Sequence, residues 1–67
     1  MKKKINFSEN LKNLRKSKGI TQKELALLLS VDQRTISAWE NSVCEPSFNI
    51  LSELCDIFDE NFDGILA

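Results

Sequence analysis

Residues 33–38 read Gln-Arg-Thr-Ile-Ser-Ala. On a helix, Gln33 and Ser37 lie four apart, as do Arg34 and Ala38, so the four share one face. The opposite seam carries Val31, Ile36 and Trp39. A solvent face is ordinarily filled with Glu and Lys. The Gln amide and the Arg guanidinium are instead planar forks that can engage two neighbouring atoms at once. Such a face suits the reading of flat hydrogen-bonding edges. The plain alternative is that Gln33, Arg34 and Ser37 are only solvated. Trp39, an aromatic at helical spacing, is assigned to the core.

Other chemistry is poorly provided for. The chain has no His, and its two cysteines, Cys44 and Cys55, lack metal-ligand spacing and a neighbouring base. There is no Gly-rich phosphate loop and no carboxylate pair suited to acid–base work. The expectation is a non-enzyme with no catalytic residue, no metal, no cofactor and no implied small-molecule ligand. At 67 residues the chain is one domain with little room for a pocket. Cys55 lies among apolar residues and reads as core, Cys44 reads as loop, and both are expected reduced. The opening MKKKINFSEN is charged and lacks the apolar stretch of a secretory signal. No apolar run approaches the roughly 20 residues that span a bilayer. A soluble cytoplasmic protein is expected.

Net charge is −1, but its distribution is uneven. All nine Lys and Arg lie in residues 1–34, against three acids up to Ala38; residues 39–67 hold seven acids and no base. Such asymmetry suggests a basic face able to orient a polyanion, or else a self-complementary solvated surface. Residues 1–6, with Lys2, Lys3 and Lys4, read as a flexible basic arm: a solubilising tail, or an arm reaching a polyanion.

These side chains need rigid elements behind them, and the chain reads as all-α, five short helices with brief connections. The first spans about Ser8 to Lys18, with Ser8 as N-cap, Phe7, Leu11 and Leu14 on one stripe, and Gly19 as a left-handed cap. The second opens on a capping box of Thr21 and Glu24, with Ile20 and Leu25 as staple. Its QKELALLL turns Leu25, Ala26 and Leu29 inward and leaves at least one of Leu27 and Leu28 outside. Asp32 caps the third helix, which ends near Asn41, a residue tolerant of left-handed geometry. SVCEP is a loop. Ser47 caps a fourth helix with Leu51, Leu54, Cys55 and Phe58 inward, and Asn61 caps a last turn.

Two capped helices joined by about three residues fit a helix-turn-helix. With LRKSKGITQKELA, TISAWEN and the closing ELCDIFDENFDGIL, the sequence resembles the phage repressor and Cro-type, or XRE, family, whose domain is lambda-repressor-like. The likeness covers about Phe7 to Leu66, within a domain placed at residues 7–67. It implies that the third helix lies in a DNA major groove. Arg34 would then pair with guanine and Gln33 with adenine, with Ser37 on either edge and Ala38 against a thymine methyl. Gln22 at the start of the second helix is implied to bind a phosphate, and Thr35 and Asn41 are weaker phosphate candidates. The family also commonly pairs an Arg of the first helix with the Glu of EN, here Arg15 and Glu40. That pair is either a partly buried tie between helices or a surface contact of little weight.

The sequence departs from the family pattern in places. Ser30 stands where Gly usually serves the turn, and Ser42, Val43, Cys44 and Glu45 replace a Gly and basic residues. Glu60 and Gly64 occupy positions usually apolar. No second domain for sensing or strong dimerisation is expected. The partner expected is therefore a palindromic double-stranded DNA operator, bound by a weak homodimer through Val43, Phe62, Ile65 and Leu66. The leading function is a sequence-specific transcriptional regulator, a bacterial or prophage repressor. The other class is a protein-interaction module such as an antitoxin, favoured by Glu45 and an exposed Leu27 or Leu28.

Overall fold

The structure, a computed structural model, describes residues 6–66. Among them are five helices, α1 Phe7–Lys18, α2 Gln22–Leu29, α3 Gln33–Glu40, α4 Phe48–Phe58 and α5 Phe62–Leu66, with no strand. The basic arm expected over residues 1–6 lies, apart from Asn6, outside the described residues.

Four of the five helix starts have a local cause. At α2 the Thr21 hydroxyl accepts the Glu24 N–H at 3.0 Å, and the Thr21 N–H donates to Glu24 Oε1 at 2.8 Å. This reciprocal pair satisfies two N–H groups that a helix start leaves without partners. Asp32 Oδ1 accepts the Arg34 N–H at 2.8 Å and starts α3. Ser47 Oγ accepts from Ile50 N at 3.3 Å, and Asn61 Oδ1 from Gly64 N at 2.7 Å. At α1 the expected Ser8 cap gives way to Asn6, whose side chain makes no capping bond. The Asn6 N–H instead donates to Leu66 O at 3.1 Å, and Asn10 Nδ2 donates to Ile65 O at 3.2 Å. The start of α1 is therefore set by α5, whose last carbonyls need donors.

The helix ends share one device. After α1, α2, α3 and α4 a left-handed residue (Gly19, Ser30, Ser42 and Asp59) folds the chain back. The next N–H then bonds a carbonyl five residues earlier: Ile20 to Arg15, Val31 to Ala26, Val43 to Ala38 and Glu60 to Cys55. Only the first of the four is glycine. Ser30, at φ 59°, keeps the turn that the family usually builds with Gly. The end of α3 is a correction: Asn41 stays at φ −104°, and Ser42 takes the left-handed position.

The core joins Phe7 and Leu11 of α1, Leu25, Ala26 and Leu29 of α2, and Ile36 and Trp39 of α3. It is completed by Leu51, Leu54 and Cys55 of α4 and Ile65 of α5. Cys55 is buried as expected, and burial pushes its thiol up from the usual range, with Asp56 and Glu60 adding to the effect. Leu27 and Leu28 are both exposed. A Cβ at Gly64 would run into the Glu60 carboxylate, so the two unusual residues there share one space.

Candidate nucleic-acid interface

α3 packs on α2 and α1 through Ile36 and Trp39, which fixes its outward face. On that face Gln33 and Arg34 are exposed, and Ser37 and Ala38 are half-buried. The Arg34 side chain is 93% exposed. Thr35 is half-buried, on the flank of the helix. Asn41 is exposed, and its Nδ2 donates to Ser37 Oγ at 3.2 Å. Two residues expected to play separate parts are thus tied together. Ser37 is held by that bond in a way Gln33 is not.

The other end of α3 is anchored by charge. Arg15 Nε donates to Glu40 Oε2 at 2.7 Å and Nη2 to Oε1 at 3.2 Å, a two-pronged pair. Their side chains are 12% and 1% exposed, so the buried alternative holds. Arg15 Nη1 also donates to Ile20 O at 2.9 Å in the turn between α1 and α2. Gln22 Nε2 donates to Glu40 Oε1 at 3.0 Å. Three helices therefore converge on one carboxylate, and among the described residues no buried side-chain polar atom lacks a partner. Burial alone would raise the Glu40 carboxyl, but the bonds from Arg15 and Gln22 outweigh it and hold the group below its ordinary range.

Gln22 was expected at a phosphate, and here it faces Glu40. An amide nitrogen carries two N–H donors, so one remains after the Glu40 bond. Asp32, treated in the sequence only as a cap, has a second contact: its Oδ1 also lies 3.5 Å from Arg34 Nε. The Arg34 backbone N–H, then its guanidinium, hold the Asp32 carboxyl below the usual range.

Of the expected subunit contacts, Val43 is exposed and Phe62 and Leu66 are half-buried. Ile65 is a correction: it is completely buried and cannot touch a second molecule. Its helix packs on α1, where the Asn10 amide donates to the backbone carbonyl of Ile65 itself. Phe48 was missed. It is 70% exposed and stacks on Phe62, with ring centroids 5.1 Å apart. A Phe directly after a helix cap is the signal that could have found it, since the first helical residue points outward unless a neighbour covers it.

The described residues contain no cluster of His, Cys, Asp and Glu able to hold a metal ion, and no helix long and apolar enough to cross a membrane. The open cleft beside the start of α1 is lined by Glu9, Glu40 and Glu45 together with Lys12, a mixed charge that does not favour anions.

Comparison with known proteins places this geometry. The helix-turn-helix family profile matches residues 11–65. An uncharacterised HTH-type transcriptional regulator of Bacillus subtilis, YqaE, is 37% identical over 60 residues, covering 90% of this chain and 52% of the relative. The HTH-type transcriptional activator BcrR of Enterococcus faecalis is 33% identical over 63 residues, covering 94% of this chain and 31% of its own length. A transcriptional regulator from Listeria innocua superposes with a TM-score of 0.91 at 28% identity, covering 96% of this chain and 60% of that one. The chain spans about half the length of YqaE and a third of BcrR. With the profile matched over most of its length, the chain belongs to the XRE-type helix-turn-helix family, a family of DNA-binding transcriptional regulators.

Proposed function

We propose that this chain is a sequence-specific double-stranded DNA-binding transcriptional regulator, a repressor that acts in the cytoplasm by occupying an operator. The observation that carries the reading is the pairing of an open Gln33–Arg34 face with an α3 anchored at its far end through Glu40. A side chain reads a base edge usefully only if its helix cannot swing, and α3 cannot swing without breaking the Arg15 and Gln22 bonds.

In the major groove Arg34 takes guanine, Gln33 takes adenine, and Ser37 and Ala38 meet the next base pair. Gln22, oriented by Glu40, offers its second N–H to a phosphate at the start of α2, where free backbone N–H groups favour an anion. Thr35 and Asn41 flank α3 and reach the backbone on either side. Eight residues of α3 span about 12 Å, so one copy covers one half-site. A weak homodimer on a palindrome follows, with half-sites about one helical turn apart. Val43, Phe62 and Leu66 form the contact, joined by the exposed Phe48 ring. The protein does no chemistry.

Selection of bound sequences from random duplexes, followed by titration against salt, tests this. Binding should fall steeply as salt rises, in proportion to the phosphates engaged. A recovered half-site without guanine preference, or a flat salt response, overturns it. The second reading, a protein-interaction module on the same scaffold, draws on Leu27 and Leu28, both open on α2. It gains if that response is flat.

A further inference from the structure

We infer that Asp32 is a positioning residue for Arg34, aiming its guanidinium at guanine as well as capping α3. The inference rests on the reading of Arg34 as a base contact and adds to it a second residue that sets the preference.

The geometry comes from the helix start. An N-cap carboxylate is held by the N–H two residues on, and here that bond is 2.8 Å, from Arg34 itself. The carboxylate is thus fixed before the guanidinium arrives. The same oxygen, Oδ1, then lies 3.5 Å from Arg34 Nε. A guanidinium has two usable edges: the side edge carrying Nε, and the end carrying both Nη groups. With Nε turned to Asp32, the end remains free. Its two parallel N–H groups match the O6 and N7 acceptors of guanine.

In free solution the contact is loose and both side chains are exposed, so it is weak. In a groove, water leaves and the attraction strengthens. No other acid lies in residues 25–39, and Glu40 at the far end of α3 is engaged by Arg15 and Gln22, so no carboxylate of α3 competes with Asp32 for Arg34. The cap also places a negative charge next to the polyanion, which lowers affinity for every sequence. Asp32 therefore exchanges some general affinity for a fixed Arg34.

The experiment measures affinities of the full chain for the selected duplex and for all single-base substitutions of it. Three proteins are compared: wild type, Asp32→Ser and Arg34→Ala. Serine caps a helix about as well as aspartate, so Asp32→Ser should fold with little change in thermal midpoint. A bidentate Arg–guanine pair discriminates by roughly five- to 150-fold. Arg34→Ala should remove that factor. Asp32→Ser should cut it by about two- to fivefold, at that base pair alone, while general affinity rises. Asp32→Asn, which keeps the acceptor and loses the charge, should give a smaller cut in the same place and serves if Asp32→Ser does not fold. If Arg34→Ala erases the guanine preference but both Asp32 variants leave it whole, positioning is overturned. A loss confined to a neighbouring cytosine position would also overturn it, since Asp32 would then be a direct acceptor from the base. If Arg34→Ala leaves the preference intact, the base-contact reading fails and the proposal fails with it.

Discussion

Arg15 and Glu40, 25 residues apart in sequence, meet through two hydrogen bonds, and this pair fastens α1 to the end of α3. The carboxylate is almost fully covered, so its charge is stabilised by its partners and hardly at all by water. Removing Arg15 leaves the Glu40 charge with only the neutral Gln22 amide, and removing Glu40 leaves the Arg15 charge with only the Ile20 carbonyl. Arg15→Ala or Glu40→Ala should each destabilise the fold by about 3–5 kcal/mol. Replacing both by apolar residues of similar size should cost clearly less than the two single changes added. Urea unfolding of the double-mutant cycle measures this, and simple additivity would refute the coupling.

The same carboxylate gives stability a pH dependence. Its folded pKa lies below the ordinary value, because the bonds from Arg15 and Gln22 overcome burial. The unfolded chain then binds more protons than the folded one as pH falls past about 4.3, the unperturbed glutamate value. Glu40's contribution is complete above that point and is lost as pH falls toward the folded pKa. Wild type minus Glu40→Gln in urea midpoint should be constant from pH 7 to about 5 and shrink below it. A difference that grows on acidification would reverse the sign and refute the assignment.

Ser30 carries a left-handed backbone at φ 59°, a conformation costing a non-glycine residue roughly 1–2 kcal/mol. Glycine is free of that clash but loses more entropy on folding. Ser30→Gly should therefore stabilise the protein by about 1 kcal/mol or less. Gly19→Ala is the converse: nothing lies within 4 Å of the new Cβ, so its cost, about 1 kcal/mol, is purely backbone. Thermal unfolding of both variants checks the pair of signs.

These turns also show what could be read in the sequence. Thr21 with Glu24, and Asp32 before α3, announce themselves because their capping bonds run between residues two or three apart, and the side chain alone dictates them. Gly19 was legible for the same local reason. Ser42 and Asp59 were not: serine does not favour positive φ, aspartate tolerates it but serves as often at helix starts, and the packing beyond each turn decides both. The start of α1 moved from Ser8 to Asn6 for a similar cause: its partner is Leu66, 60 residues away. At the candidate site, the exposure of Gln33 and Arg34 followed from helical period. The Gln22–Glu40 and Asn41–Ser37 bonds did not, since side-chain geometry decides them.

Ile65 and Phe48 separate core from surface at the same end of the molecule. Ile65 is fully buried, so Ile65→Ala should lower stability by about 2–5 kcal/mol. Phe48 and Val43 are exposed, so Phe48→Ser and Val43→Ser should change stability little and weaken self-association. Sedimentation over a range of concentrations, with and without a two-half-site duplex, reads the second effect. Wild type remaining strictly monomeric on that duplex would remove the dimer.

Arg34 and Gln22 give the sharpest division, because one is argued to specify and the other to hold. Arg34 is open on the outer face of α3, with two N–H groups free at the tip. Gln22 is half-buried, with one N–H committed to Glu40. Arg34→Ala should lose about 1–3 kcal/mol on the preferred duplex and little on a duplex lacking its guanine. Gln22→Ala should weaken every duplex by a similar factor and reduce the steepness of the salt dependence only slightly, because an amide carries no charge. It should also lower stability, since Glu40 loses a donor, so binding must be compared at a temperature where both variants are folded. The two profiles differ in shape as well as in size, and general destabilisation cannot imitate that: an unfolded fraction weakens all duplexes alike. If Gln22→Ala changes the ranking of bases and Arg34→Ala does not, the reading face lies at the start of α2, and α3 is its support.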